Sequence, residues 1–280
     1  MDLPEYLNLL RVPFGQRYIH LVLFRGEQNL LVDSGMSYSF EPHLLTGLAG
    51  LGLSPTQLDW LVNLHAHGDH IGGNALLLEA SGGRLRIACH REDAPYIREP
   101  VRVVRELYGM PEDHPRFQSS VDSCGAPAPV HLELVDGVVV SLGQGVSVEA
   151  LAAAGHSPGN IALYDRASKT LVQGESIQGL PQQLDDGRLT APFGLTPHTY
   201  RKTLERLLTL PIDTLVSSHE ESMGGDQARA LIRGCIQGVD AFVSAVQRAA
   251  QEGATDPEAL YLAASQRYRL YSPRQLAELC

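Results

Sequence analysis

The stretch His65-Ala66-His67-Gly68-Asp69-His70-Ile71-Gly72-Gly73-Asn74 decides how the rest of the 280-residue chain is read. It directly follows the apolar run 58–64 (LDWLVNL), which reads as a buried strand, and it opens a helical pattern over 71–80. Alternation along extended backbone places His65 and His67 on one side, while Asp69 and His70 fall at the turn into the helix. Four imidazole or carboxylate groups within six residues therefore converge on a small volume. Such groups suit Zn²⁺, Fe²⁺ or Mn²⁺, and the lack of cysteine among them points away from a structural zinc site. Gly72 and Gly73 allow close backbone packing where the helix starts.

Working outward, apolar runs at 18–24 and 29–33 flank a turn at Arg25-Gly26-Glu27 and read as a hairpin. Helical patterns follow at 42–51 and at 92–108, the second interrupted by Pro95 and Pro100, with a strand at 84–89 and a loop through Pro129. Short β-like runs occupy 138–142, 146–153, 160–164, 170–173 and 213–217, with a helix at 200–208. Beyond Gly225 the pattern is helical only, at 226–251, 257–267 and 273–279. Asp256 and Ser272 serve as N-caps before Pro257 and Pro273. The chain thus divides into a layered body, 1–225, with an inserted helical segment at about 91–130, and a helical segment, 226–280. The apolar faces of that last segment (Leu231, Ile232, Val239, Phe242, Val243) cover the cleft or form a dimer seam. Tyr261, Tyr268 and Tyr271 line a pocket or pack within the helices.

Three more candidate ligands sit just past predicted strands, where α/β proteins place their sites. His156 lies in Gly155-His156-Ser157-Pro158-Gly159, Glu175 in Gly174-Glu175-Ser176, and His219 in Ser218-His219-Glu220. As a set, His65, His67, Asp69, His70, His156, Glu175 and His219 describe a dinuclear metal site.

Composition bounds the rest. The chain is 44% apolar and 19% charged, which excludes disorder, and its formal charge of −10 argues against nucleic-acid or anionic-membrane partners. No apolar run is long enough to span a bilayer. The start of the chain shows no leader-like apolar core, and the four cysteines lack CxxC spacing, so a cytoplasmic location with reduced thiols is expected. Arg98, Arg102 and Arg105 share a helical face. They form either an electropositive rim for an anionic substrate or a solvated face paired with Glu99 and Glu106.

Taken together, these residues resemble the metallo-β-lactamase fold superfamily over about 15–222. The matching motifs, in order, are Leu31-Val32-Asp33-Ser34-Gly35, the segment 65–73, the segment 155–159, the segment 174–176 and the segment 218–220. The resemblance implies an α/β fold, a four-layer αβ/βα sandwich. It implies one metal on His65, His67 and His156, a second on Asp69, His70 and His219, and a carboxylate between them at Glu175, where the family usually has aspartate. It further implies that Asp33 orients the metal loop, though a turn-capping role is equally open. Glyoxalase II is similar at the metal motif, without its basic C-terminal clamp. A weaker likeness joins 99–107, 134–137, 163–166 and 204–207 to thioesterase-type members acting in quinolone-signal response.

The expected activity is therefore hydrolysis of a small ester, thioester or lactone by hydroxide held on two divalent ions, zinc first, iron or manganese otherwise. Asp69 is the expected catalytic residue, orienting the hydroxide and passing a proton to the leaving group. Phosphodiester hydrolysis, mononuclear iron sulfur dioxygenation and a metal-bearing signalling effector are the alternatives. The expected partner is a small molecule, anionic where the arginine face serves as a rim, and the chain is monomer or homodimer.

Overall fold

Along the strand Arg17–Phe24 consecutive side chains from Ile19 onward are buried on opposite sides. Ile19, Leu21 and Leu23 enter one apolar cluster, while Val22 and Phe24 enter another. A strand that is apolar on both faces must lie between two layers. The computed structural model, which describes residues 3–254, 256–270, 276 and 279, shows those layers.

The first sheet runs β1 (Leu7–Phe14), β2 (Arg17–Phe24), β3 (Leu30–Val32), β4 (Trp60–Val62), β5 (Arg86–His90) and β6 (Leu132–Leu134). Its first three strands are antiparallel neighbours, and β3 to β6 run parallel. The second sheet contains β7 (Val139–Gly143), β8 (Val146–Ala152), β9 (Ile161–Asp165) and β10 (Thr170–Gln173). After β11 (Leu189–Thr190), which lies outside it, come β12 (Thr214–Ser217) and β13 (Met223–Gly224). Its spatial order is β13-β12-β10-β9-β8-β7, so β8, β10 and β12 point the same way.

Between the sheets, Val22, Phe24, Val32 and Val62 meet Val148, Leu163, Val172 and Val216. Each such side chain contributes roughly 1.5–3 kcal/mol on burial. That outweighs the few backbone bonds joining the layers, among them His20 N–H to Ser218 O at 2.7 Å and Ile161 N–H to Leu64 O at 2.8 Å, at about 1 kcal/mol each. The stitches matter instead for position, since both flank the candidate ligands.

Helices cover the outer faces. On the first sheet lie α1 (Thr46–Gly50), α2 (Gly68–Ile71), α3 (Asn74–Ala80), α4 (Ala94–Arg98) and α5 (Phe117–Ser123). On the second lie α6 (Pro197–Leu208), α7 (Gly225–Gln251) and α8 (Pro257–Arg267), whose N-cap Asp256 accepts from Ala259 N–H at 2.9 Å. The fold is the expected four-layer αβ/βα sandwich.

Several elements differ from expectation. β1 belongs to an N-terminal segment read without a strand, and α5 and β6 lie in or just past the expected loop. The helix expected over 71–80 is two helices broken at Gly72-Gly73. A Cβ on Gly72 would fall 2.5 Å from Ser37 N, and one on Gly73 2.5 Å from Ser34 O, so the break seats α2 directly on the β3 loop. The segment after 225 is not purely helical, because β14 (Tyr268–Arg269) pairs with β11.

The apolar face of α7 turns toward the second sheet. Ile232, Val239 and Phe242 are buried with Leu204, Leu207 and Leu215, and Leu231 and Val243 pack against the same cluster. Tyr268 is buried there too, with Tyr261 partly so. Tyr271, Ser272 and the helix expected at 273–279 lie outside the described residues, apart from Leu276 and Leu279. Among the described residues, no helix is long and apolar enough to cross a membrane.

Candidate metal centre

Each candidate ligand follows a strand whose C-terminal end points to the same edge of the sandwich. The loop after β4 carries His65, His67, Asp69 and His70, while β8, β10 and β12 lead to His156, Glu175 and His219. All seven come together in two adjoining groups. Ligand atoms of His65, His67 and His156 lie within 4.8 Å of one another, as do those of Asp69, His70, Glu175 and His219.

Glu175 joins the groups. Its Oε2 lies 3.5 Å from His65 Nε2 and 3.3 Å from His70 Nε2, and its Oε1 lies 2.9 Å from His219 Nε2 and 3.9 Å from His156 Nε2. Asp69 Oδ2 is 3.3 Å from His219 Nε2. His67 Nδ1 and His156 Nε2 face each other at 2.9 Å, close to the spacing of about 3.3 Å that two imidazole nitrogens take on one tetrahedral zinc.

The donor set fits divalent cations. His65 is fully buried, yet neither of its ring nitrogens has a hydrogen-bond partner, and His70 Nε2 and Glu175 Oε2 are likewise unpartnered. Buried polar atoms are almost always bonded, so several orphans converging on one space mark a place for a shared positive charge. Burial, with His70 and the other histidines nearby, holds His65 well below the usual imidazole range, and burial lowers His67 and takes His156 down to about 3. These three are neutral and ready to ligate. In the second group burial also opposes charge, but carboxylates win. Asp33, Glu175 and Asp69 lift His70 well above its usual value, and Glu175 lifts His219 to about 9. Glu175 itself is held well below the carboxylate range, against its burial, by the positive charge of the histidines around it, carried by His219 and His70.

Neighbouring groups fix the rings. Asp33 accepts from Leu64 N–H at 2.9 Å and lies 2.7 Å from His70 Nδ1, so it both ties the 65–70 loop and orients the ring of a candidate ligand. His219 Nδ1 donates to Tyr18 O at 3.0 Å, which turns Nε2 to the site. Sequence reading missed several others. The Gln178 amide bonds His156 Nδ1. Asn63 and Ser34 hold His70 O at 2.9 and 3.1 Å and are linked through Asn74. Tyr108 accepts from Gly68 N–H at 2.9 Å and packs its ring on His67. Only Asn63 and Asn74 carried a signal, as polar residues inside otherwise apolar runs.

The arginines at 98, 102 and 105 spend their charge on Glu133, Glu106 and Glu112, at 2.7, 2.8 and 2.5 Å. Among the described residues, Cys89, Cys124 and Cys235 are buried and joined in no disulfide.

The family model for the metallo-beta-lactamase superfamily matches residues 12–219, a span holding all seven clustered residues. The chain belongs to the metallo-beta-lactamase superfamily. Solved structures repeat this fold. A metallo-beta-lactamase family protein from Thermus thermophilus has 22% identity and a TM-score of 0.73, covering 99% of this chain and 91% of that one. A beta-lactamase domain protein from Burkholderia ambifaria has 21% identity and a TM-score of 0.70, covering 98% and 84%. A subclass B3 metallo-beta-lactamase of Bradyrhizobium japonicum has 19% identity and a TM-score of 0.62, covering 91% and 96%. Members of the superfamily typically bind divalent metals, and the His, Asp and Glu cluster is compatible with that.

Proposed function

We propose that this chain is a metal-dependent hydrolase of a small ester, thioester or lactone, with two divalent ions, zinc first, held by the seven clustered residues. The observation that carries this reading is the position of Glu175, whose two oxygens approach histidines of both groups. Glutamate reaches both, so its extra methylene relative to aspartate is compatible with a bridge.

Divalent ions bound there supply a water acidified to near neutrality and a Lewis acid for the substrate oxygen. The protein's part is positional. His65, His67 and His156 remain neutral, and Asp33 and the Tyr18 carbonyl hold the rings of His70 and His219. Asp69, partly exposed beside His219, takes up a proton on its carboxylate and returns it to the leaving alkoxide or thiolate. Tyr108 walls the cleft next to His67, and the insert's arginines are neutralised by glutamates. Those features favour an acyl compound over a phosphodiester, whose charge would call for unpaired cations. The same reading assigns the protein to the cytoplasm with a small-molecule substrate and no nucleic-acid or membrane partner.

Elemental analysis of the native protein, with ester, thioester, lactone and phosphodiester substrates, tests this. The expected result is about two ions per chain and acyl-ester turnover that His67→Ala and Asp69→Ala abolish without unfolding the protein. Absence of bound metal, turnover of phosphodiesters alone, or iron with oxygen consumption on a thiol substrate would each overturn it.

A further inference from the structure

Asp93 stands at the N-cap of α4, yet its side chain makes no bond to that helix. An aspartate there ordinarily caps the first turn. This one is fully buried and turned inward, and all three of its carboxylate bonds go to the loops bearing the three-histidine group. Oδ2 accepts from Ala66 N–H at 2.9 Å and from Ser157 Oγ–H at 2.7 Å, and Oδ1 accepts from Gly159 N–H at 2.7 Å. Ala66 lies between His65 and His67, and Ser157 follows His156. One carboxylate therefore touches the chain beside every histidine of that group, across the junction of the two sheets.

The close approach is built in from the other side as well. A Cβ on Gly159 would fall 2.6 Å from Asp93 N and 2.7 Å from its Cγ and Oδ1, so only glycine admits the carboxylate there. Among the described residues, no lysine, arginine or histidine forms an ion pair with Asp93. Burial, which outweighs its three bonds, raises its pKa to about 6, so at neutral pH the fold carries an ionised acid held by hydrogen bonds alone. Helix capping would need none of this.

We propose that Asp93 is a positioning residue that braces the His65–His67 loop against the His156 loop and so sets the affinity of the three-histidine group for its ion. This rests on the metal reading above, and it concerns a residue that makes no contact with the ion. The second group has its own support in Asp33, Asn63 and the Tyr18 carbonyl, so the effect is selective.

The experiment is zinc titration of Asp93→Asn against a competing chelator, with the histidine ring nitrogens followed by NMR so that the two groups are read separately. Zinc affinity at His65, His67 and His156 falls about 10–100-fold, while affinity at Asp69, His70 and His219 changes less than about threefold. Ser157→Ala, which removes one bond and leaves two, shifts the same group in the same direction by less, and it serves if Asp93→Asn fails to fold. Equal weakening of both groups, or none, overturns the proposal. Amide exchange of Ala66 and Gly159 in zinc-free protein separates the two readings. If the wild type takes up no zinc, the metal reading falls, while bracing stands or falls on faster exchange of those two amides in the variant.

Discussion

Asp33 Oδ2 lies 2.7 Å from His70 Nδ1, with neither side chain exposed to solvent. The backbone at Asp33 holds φ at +62°, in the left-handed region. Removing its side chain forfeits a charge-assisted hydrogen bond of about 1.5–3 kcal/mol, and alanine retains a backbone penalty of about 1–2 kcal/mol that glycine escapes. Asp33→Gly is therefore more stable than Asp33→Ala by about 1 kcal/mol, and both lose metal affinity at the His70 group, about 10–100-fold. Urea unfolding and chelator competition measure the two effects separately. Equal stabilities would refute the backbone half, and undiminished affinity would refute the other.

Without metal, the histidines make stability depend on pH in two opposing ways. His156 titrates near 3 in the folded chain against 6.5 when unfolded, so below pH 6.5 the unfolded chain takes a proton that the folded one refuses. Stability is lost as pH falls from 6.5 toward 3, and His65 and His67 act in the same direction. His219 titrates near 9, so its contribution is fully present below 6.5 and is lost as pH rises through 9. Chelator-treated protein should melt highest near pH 6.5 and lower on either side. A melting temperature that climbs steadily across pH 5–9 would contradict this.

Glu175→Asp withdraws the carboxylate by one methylene from a position where it approaches four histidines at 2.9–3.9 Å. The β10 loop is pinned behind it, since Ile177 N–H donates to Gln173 Oε1 at 2.9 Å and a Cβ on Gly174 would fall 3.3 Å from His70 Cε1 and 3.5 Å from His65 Nδ1. The shorter side chain cannot be compensated by a simple loop shift. Bound metal is expected to drop from about two ions toward one, as read by elemental analysis after dialysis. Two retained ions would mean that Glu175 does not bridge.

Most strands of the two sheets and the clustering of the seven candidate residues were legible because both write themselves locally. Thr170–Gln173, a short run buried at every position, and the 65–70 motif need only local composition and residue chemistry to be seen. What stayed hidden depends on partners far along the chain. β1 reads poorly because the adjacent Leu9 and Leu10 break its alternation and Pro13 weakens it as a strand, and only pairing with β2 makes it one. Asp93 and Gln178 look like ordinary loop residues until the fold brings Gly159 and His156 to them, 66 and 22 residues away. The apolar face of α7 was visible, but which surface it covers is decided by α6 and the second sheet.

Phe242 tests whether α7 supports the metal centre from behind. Its ring is fully buried and meets Phe193 and Tyr268 edge-on, with centroids 4.9 and 5.0 Å apart. Phe193 adjoins Gly194, where a Cβ would fall 2.7 Å from His156 Cα, so the loop held by Phe242 lies directly on a ligand. Phe242→Ala should cost about 3–5 kcal/mol. It should also weaken metal at the three-histidine group more than at the Asp69 group, because Phe193 can then sink into the vacated space and draw its loop from His156. Phe242→Leu, which refills most of the volume, should restore affinity before it restores the full melting temperature. If Phe242→Ala loses stability while metal affinity at His156 is unchanged, the loop is held by the bonds of Leu195 N–H and Thr196 N–H to Gly155 O, and α7 serves the second sheet alone.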